Sequence, residues 1–153
     1  MLSLSTKGRY ATRIMVRLAL TSGSHPTRIQ SLADAEGISR DYVEQILGQL
    51  KAGGLVQSHR GAHGGFRLTR APDEITVTDV LDATEGPIAL VPCVGENRNG
   101  AAQSCDRVAL CVTRPLWQRA GKALVEIFDA TTVADLADDA RCCQSEGRPM
   151  FEI

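Results

Sequence analysis

Apolar residues recur along this chain at two different periods, and the changes of period mark out its elements. Near the start, Tyr10, Ile14 and Leu18, with Ala11 and Met15 beside them, form a core-facing stripe at helical spacing and predict a first helix ending near Gly23. A short segment, HPTRIQ, leads into a second helix with Leu32 and Ala33 as inward candidates, and Gly37 can take the left-handed conformation that ends it. Ser39 is placed to cap a third helix, which buries Val43, Ile46, Leu47 and Leu50 and stops at Gly53-Gly54. The period then shortens. Leu55 and Val56, followed by Phe66 and Leu68 around HRGAHGG, predict a two-stranded hairpin with a glycine-rich tip.

Helical spacing returns twice more. Thr76 or Thr78 can cap a short helix holding Val80, Leu81 and Ala83 and closed by Gly86. Thr113-Arg114-Pro115 offers a start to a longer one, with proline suited to a first turn. Its apolar positions are Leu116, Trp117, Ala120, Ala123, Leu124, Ile127 and Phe128, one continuous stripe longer than a small core requires.

The connection from Gly37 to Ser39 has the length of a helix-turn-helix corner. The helix after it begins with Ser39, Arg40, Asp41 and Tyr42, then presents Glu44, Gln45 and Gln49. Such side chains can reach base edges from a major groove about 12 Å wide. The hairpin that follows carries Arg60 at its tip, with Arg67 and Arg70 behind it, and reads as a wing that tracks a phosphate backbone or enters the minor groove. An inert loop is the simpler alternative for HRGAHGG, and His59 and His63 are read as further polar groups of the wing rather than ligands.

Charge supports this division. The net charge of −1 hides ten Lys/Arg against four Asp/Glu through Pro72, and seven against fourteen from Asp73 onward. A basic half joined to an acidic half suits a DNA-binding module with a separate assembly or sensing part. The basic start, with Lys7, Arg9, Arg13 and Arg17 and no acid before Asp34, also has the composition of an organelle transit peptide. Its helical stripe favours reading it as part of the fold. No secretory pattern and no membrane-length apolar run are present, so a cytoplasmic chain of 153 residues with one main domain is expected. No nucleophile–base set, phosphate loop or paired-carboxylate signature is found, and an enzyme is not expected.

Three of the five cysteines lie in PCVGENRNGAAQSCDRVALC, between the wing side and the long helix, with spacing C-x11-C-x5-C. An odd number of cysteines fits a disulfide framework poorly. Thiolates in a Gly/Asn-rich loop suit soft metals or an iron–sulfur cluster. Without a C-x2-C knuckle, the spacing leaves a cluster, zinc and redox thiols in competition.

Taken together, STKGRYA, ISRDYVEQIL, LVQSHRGAHGGF, ITVTDVLDATEG and LWQRAGKALVEIFDATTVADL resemble the IscR/NsrR-type winged-helix iron–sulfur transcription regulators of bacteria, the Rrf-two family, from Leu2 to about Ala137. The resemblance implies a mainly α fold with a small β wing. Its organisation is a winged helix-turn-helix domain over 1–86, a cysteine-rich cofactor loop over 87–113, a dimerisation helix region over 114–140 and a tail over 141–153. It implies that Cys93, Cys105 and Cys111 hold an iron–sulfur cluster, 2Fe-2S or 4Fe-4S, with zinc the lesser alternative. Two positions depart from the family. Arg114 stands where IscR-like members place a histidine, and Arg9 where NsrR-like members place an acidic ligand. Arginine stays protonated and is no ordinary metal ligand. The first gap of the loop is also longer than the family pattern, and Cys142 or Cys143 could supply a further thiolate.

The expected function is that of a homodimeric repressor of transcription, sensing iron, redox state or nitric oxide, on a roughly palindromic double-stranded operator. Ser39, Arg40, Tyr42, Glu44 and Gln45 are the candidate recognition residues, and Lys7, Arg9, Arg60 and Arg67 the candidate phosphate or minor-groove contacts. Leu116, Trp117, Ala120, Leu124, Ile127 and Phe128 are the candidate dimer residues, although the same helix could fold back on its own domain. Two alternatives are a regulator of this fold controlled by a small molecule or thiol oxidation, and a thiol-redox or metal-carrier protein that does not bind DNA.

Overall fold

The computed structural model describes residues 4–21, 23, 25–61, 63–94 and 105–145. Its first helix, α1 (Thr6–Leu20), starts where Ser5 accepts a hydrogen bond from the Gly8 amide at 3.2 Å, which satisfies one of the free donors of the first turn. Ala11, Ile14, Met15 and Leu18 are enclosed as the stripe predicts, and Val16 and Ala19 are enclosed as well. Burial on more than one side makes α1 the central helix, packed against every other helix of the winged core.

The corner follows from its own residues. Helix α2 (Ile29–Glu36) ends at Gly37, in the left-handed region at φ 64°, whose amide donates to the Ala33 carbonyl. Helix α3 (Arg40–Ala52) begins at Ser39, whose hydroxyl accepts from the Tyr42 amide at 3.2 Å, with Asp41 favourably placed in the first turn. Val43, Ile46, Leu47 and Leu50 are fully buried. Each such side chain contributes roughly 1.5–3 kcal/mol of burial, so this face anchors α3 and leaves its other face outward.

Strands β1 (Val56–His59) and β2 (Gly65–Leu68) pair antiparallel, Val56 opposite Leu68 and His59 opposite Gly65. The hairpin does not stand alone. Thr27 and Phe66 exchange backbone hydrogen bonds of 2.9 and 2.8 Å, so the α1–α2 connection becomes a third edge of the wing. Gly65 makes this possible, because a Cβ there would lie 2.4 Å from the Thr27 carbonyl oxygen.

Helix α4 (Val77–Thr84) has the capping box that Thr76 promises: Thr76 Oγ1 accepts from the Asp79 amide, and Asp79 accepts from the Thr76 amide. Helix α5 (Arg114–Ala130) starts at the Thr113-Arg114-Pro115 signal and has no buried residue. The chain breaks at Thr131-Thr132, and α6 (Val133–Ser145) turns back onto α1, burying Val133, Ala137 and Ala140 in the main core. Thr76 and Thr132 form an isolated bridge, with Val77 N donating to Thr131 O and Val133 N to Ile75 O. The winged core therefore includes α6 as well as the elements before residue 86, and within 114–140 α5 lies against α4 without contributing a buried residue to that core. Among the described residues, no helix is long and apolar enough to cross a membrane.

Candidate nucleic-acid interface and cysteine segment

The outward face of α3 carries Arg40, Asp41, Glu44, Gln45, Gly48, Lys51 and Ala52, all exposed. Of the candidate recognition residues, Arg40, Glu44 and Gln45 project from this face. Ser39 is exposed but its hydroxyl is engaged as the cap. Tyr42 is half-buried, its ring edge-on to Tyr10 at 6.1 Å, so much of it serves to fasten α3 to α1. Gln49, expected outward, is half-buried, with Oε1 enclosed and without a hydrogen-bond partner among the described residues.

Arg60 and Arg67 are exposed on the wing, while Arg70 is drawn toward α4, donating to the Glu74 carbonyl and to Asp79. Lys51 Nζ donates to Ser58 Oγ at 3.0 Å, which ties the end of α3 to the first wing strand. His63 stacks on His25 with ring centres 5.5 Å apart, joining the wing tip to the α1–α2 connection.

The basic run of α1 divides in two. Lys7 is half-buried and Arg9 exposed, but Arg13 and Arg17 both pair with Glu36, whose side chain is fully enclosed at the end of α2. Arg13 also lies over the Tyr10 ring at 5.3 Å. Sequence reading missed this pairing. The signal was present, since two arginines one turn apart on one helix face invite a shared acid, but nothing local says which acid.

The cysteine segment is described at its two ends, and the expanded part of the loop, 95–104, lies outside the described residues. Cys93 is half-buried in a single 3-10 turn, Pro92–Val94, that packs against α5. Cys105 is exposed, and Cys111 is half-buried. Cys111 Sγ lies 3.3 Å from the Thr113 hydroxyl. That hydroxyl, then the Thr113 and Arg114 amides and the Arg114 charge, hold the Cys111 thiol below its ordinary value. Arg114 Nε is enclosed and has no hydrogen-bond partner among the described residues. Cys142 is exposed and Cys143 half-buried near the end of α6, and the tail from 146 lies outside the described residues. Among the described residues no group of three or more His, Cys, Asp or Glu side chains is gathered for a metal ion.

The apolar stripe of α5 is only partly covered, with Trp117, Ala120, Leu124 and Phe128 half-buried. Leu116 and Ile127 are 54% and 59% exposed. Ala120, Ala123, Leu124, Ile127 and Phe128 line one wall of a crevice of about 810 Å³, and Pro87, Ile88 and Leu90 help to form the other.

The family model described as "Rrf2: Iron-dependent Transcriptional regulator" matches residues 4–139. The chain belongs to the Rrf2 family. It is 37% identical to Protein rrf2 of Nitratidesulfovibrio vulgaris over 142 residues, 93% of this chain and 91% of that protein. Among solved structures it is similar to CymR (YrzC) of B. subtilis, titled the global cysteine regulator, with 39% identity, a TM-score of 0.72, and 90% of this chain and 98% of that one covered. It is also similar to T. potens IscR, with 34% identity, a TM-score of 0.73, and 91% and 88% covered. The expected mainly helical fold with a two-stranded wing is the fold observed, and the chain is a transcription regulator of a DNA-binding family.

Proposed function

We propose that this Rrf2-family regulator acts as a homodimeric repressor on a roughly palindromic double-stranded operator, with affinity set by an iron–sulfur cluster bound through Cys93, Cys105 and Cys111. The observation that carries the DNA reading is the outward face of α3, anchored by four buried apolar residues and flanked by the arginines of the wing. Arg40, Glu44 and Gln45 serve base reading, while Lys7, Arg9, Arg60 and Arg67 serve phosphate or minor-groove contact. The dimer is supported by α5, which packs on α4 and the Cys93 turn but buries no residue among the described residues and leaves Leu116 and Ile127 largely exposed. Leu116, Trp117, Ala120, Leu124, Ile127 and Phe128 form the proposed interface, and two-fold pairing sets two recognition helices against two half-sites.

The donor set suits the cluster. It offers three thiols, one of them held below its ordinary value by the Thr113 hydroxyl, and the Arg114 Nε beside Cys111, enclosed and without a hydrogen-bond partner among the described residues, suits an anionic, sulfur-bearing group. Arg114 and Arg9 remain cations, so neither supplies a fourth ligand. When bound, such a cluster supplies a centre sensitive to iron supply, oxidants and nitric oxide. The chain's own part is mechanical. The Cys93 turn packs on α5, and Cys111 lies three residues before its first residue. A change in how these thiols are held is thereby passed to α5 and to the spacing of the two winged domains. Regulation requires that the two states differ in DNA affinity.

The test is anaerobic purification with iron and acid-labile sulfide assays, then binding to duplexes from the gene's own upstream region with and without the cofactor. Brown, iron- and sulfide-containing protein whose affinity changes on cofactor loss is expected. Colourless, iron-free protein, or a chromophore that survives triple Cys→Ala substitution, would remove the cluster.

A second reading has its own support. The likeness to a cysteine regulator, together with the crevice beside α5, favours control by a small molecule or by thiol oxidation on the same DNA-binding fold. Operator binding that responds to a thiol metabolite or to oxidant in iron-free protein would select it.

A further inference from the structure

Helix α3 contains a glycine that its own fold does not require. Gly48 lies in the helix interior, is exposed, and a Cβ added there would meet no atom within 4 Å. Its φ is not positive, so an ordinary residue would fit the backbone. Other glycines of the winged core have visible reasons: a Cβ at Gly53 would lie 2.7 Å from the Ala83 Cβ, and one at Gly65 would strike Thr27. Glycine in the middle of a helix weakens it relative to alanine. Gly48 therefore costs the helix something and gains nothing from packing against the described residues.

Its position says where the gain lies. At about 100° per residue, the exposed side chains of α3 occupy one arc from Arg40 to Gln45, and Gly48 falls close to the midline of that arc. Glu44 precedes it by one turn, and Ala52, the smallest remaining option, follows it by one turn. Around Gly48 on this face stand Arg40, Asp41, Glu44, Gln45 and Lys51, polar and charged groups that an apolar protein partner would leave unsatisfied.

We infer that Gly48 is the point of closest approach between α3 and double-stranded DNA, the clearance that lets the helix sit deep enough for Glu44 and Gln45 to reach base edges. The inference rests on the DNA-binding reading above. A helix with its side chains is about 10–12 Å across and the major groove about 12 Å wide, so a side chain on the leading midline must lift the helix away from the bases. Gly48 is thus a positioning residue for specificity, which it sets by the absence of a side chain.

The experiment compares full-length wild type with Gly48→Ala and Gly48→Gln on an operator duplex from the gene's own upstream region and on a scrambled duplex of equal length. Gly48→Ala is expected to melt at a higher temperature than wild type, because alanine is the better helix former. It is nevertheless expected to bind the operator about 10-fold more weakly, and Gly48→Gln about 100-fold more weakly, on the scale of one to two lost base contacts. Binding to the scrambled duplex and its salt slope stay at wild-type values, since the phosphate contacts are untouched. If wild type binds the operator and both variants bind it equally well, the inference is overturned while the regulator reading stands. An equal loss on both duplexes also overturns it, assigning Gly48 to backbone contact. If the glutamine variant fails to fold, the alanine variant, with its strengthened helix, decides alone. If wild type binds neither duplex, the DNA-binding reading itself has failed, and the inference with it.

Discussion

The carboxylate of Glu36, fully enclosed at the end of α2, lies 2.5 Å from Nε of Arg13 on α1. Arg17 closes on its other oxygen. A carboxylate in that position would be costly to bury alone, and the two arginines, each partly in contact with solvent, offset that cost. The next residue is Gly37, so the pair fixes the corner from which α3 departs. Glu36→Ala is expected to lower unfolding free energy by about 1–3 kcal/mol, since both arginines can turn outward. Replacing both Arg13 and Arg17 by Met leaves a buried charge unpaired and is expected to cost about 3–5 kcal/mol. Denaturant unfolding of the variants measures both, and equal losses would show that burial of the carboxylate is not the governing term.

Arg60 is exposed at the wing and at the end of β1. Arg60→Ala is expected to weaken operator and non-operator DNA alike and to reduce the log–log salt slope by about 1 per protomer. Fluorescence anisotropy across a salt series reads this directly. An unchanged slope removes the wing from the interface.

Ile127 is 59% exposed on a helix that contributes nothing buried to the winged core. Ile127→Asp is therefore expected to leave thermal unfolding of a single chain nearly unchanged. In a two-fold interface the change occurs in both protomers, and like charges brought together should weaken dimerisation by about 100-fold or more. Sedimentation equilibrium separates the outcomes. A variant that stays dimeric would place the interface elsewhere.

Two carboxylates respond to pH in opposite senses. Hydrogen bonds from the Thr132 hydroxyl and amide at the start of α6 hold Asp135 below its usual value. A depressed folded value means stabilisation that is present above the unfolded pKa and lost as pH falls through the folded one. Partial burial, then the charges of Asp79 and Asp129, push Asp82 upward, so its charged form opposes folding at neutral pH. Asp135→Asn is expected to lower the melting temperature at pH 7 and to differ little from wild type in strong acid. Asp82→Asn is expected to raise it at pH 7. Thermal melts across a pH series check both signs.

Much of the DNA-binding half was legible because its signals are local. Ser39 and Thr76 cap the helices they precede, and Gly37 ends α2, through hydrogen bonds that reach only three or four residues. The stripe of α5 was equally plain, and the absence of any buried residue on it agrees with a length greater than the core needs. Less was legible where one residue had several possible partners. The sequence names Tyr42 as a recognition residue but not the contact of its ring with Tyr10, and Gln49 reads as exposed until the turn of α3 carries it half inward. The thiols of the cysteine segment are nameable from the sequence, but their convergence depends on a path that local spacing does not encode.

The sequence by itself determined the helices as far as α5, the corner, the wing and the apolar stripe, but not α6, because capping and periodicity act within a few residues. Only the tertiary structure decided that Glu36 takes up half of the basic run of α1, that Thr27 pairs with Phe66, and that α6 returns to the core beside Ile75. These are pairings between distant positions. They form because the buried carboxylate and the free strand-edge amides must find partners once water is excluded, and the packed chain, not the local sequence, determines which partners are within reach.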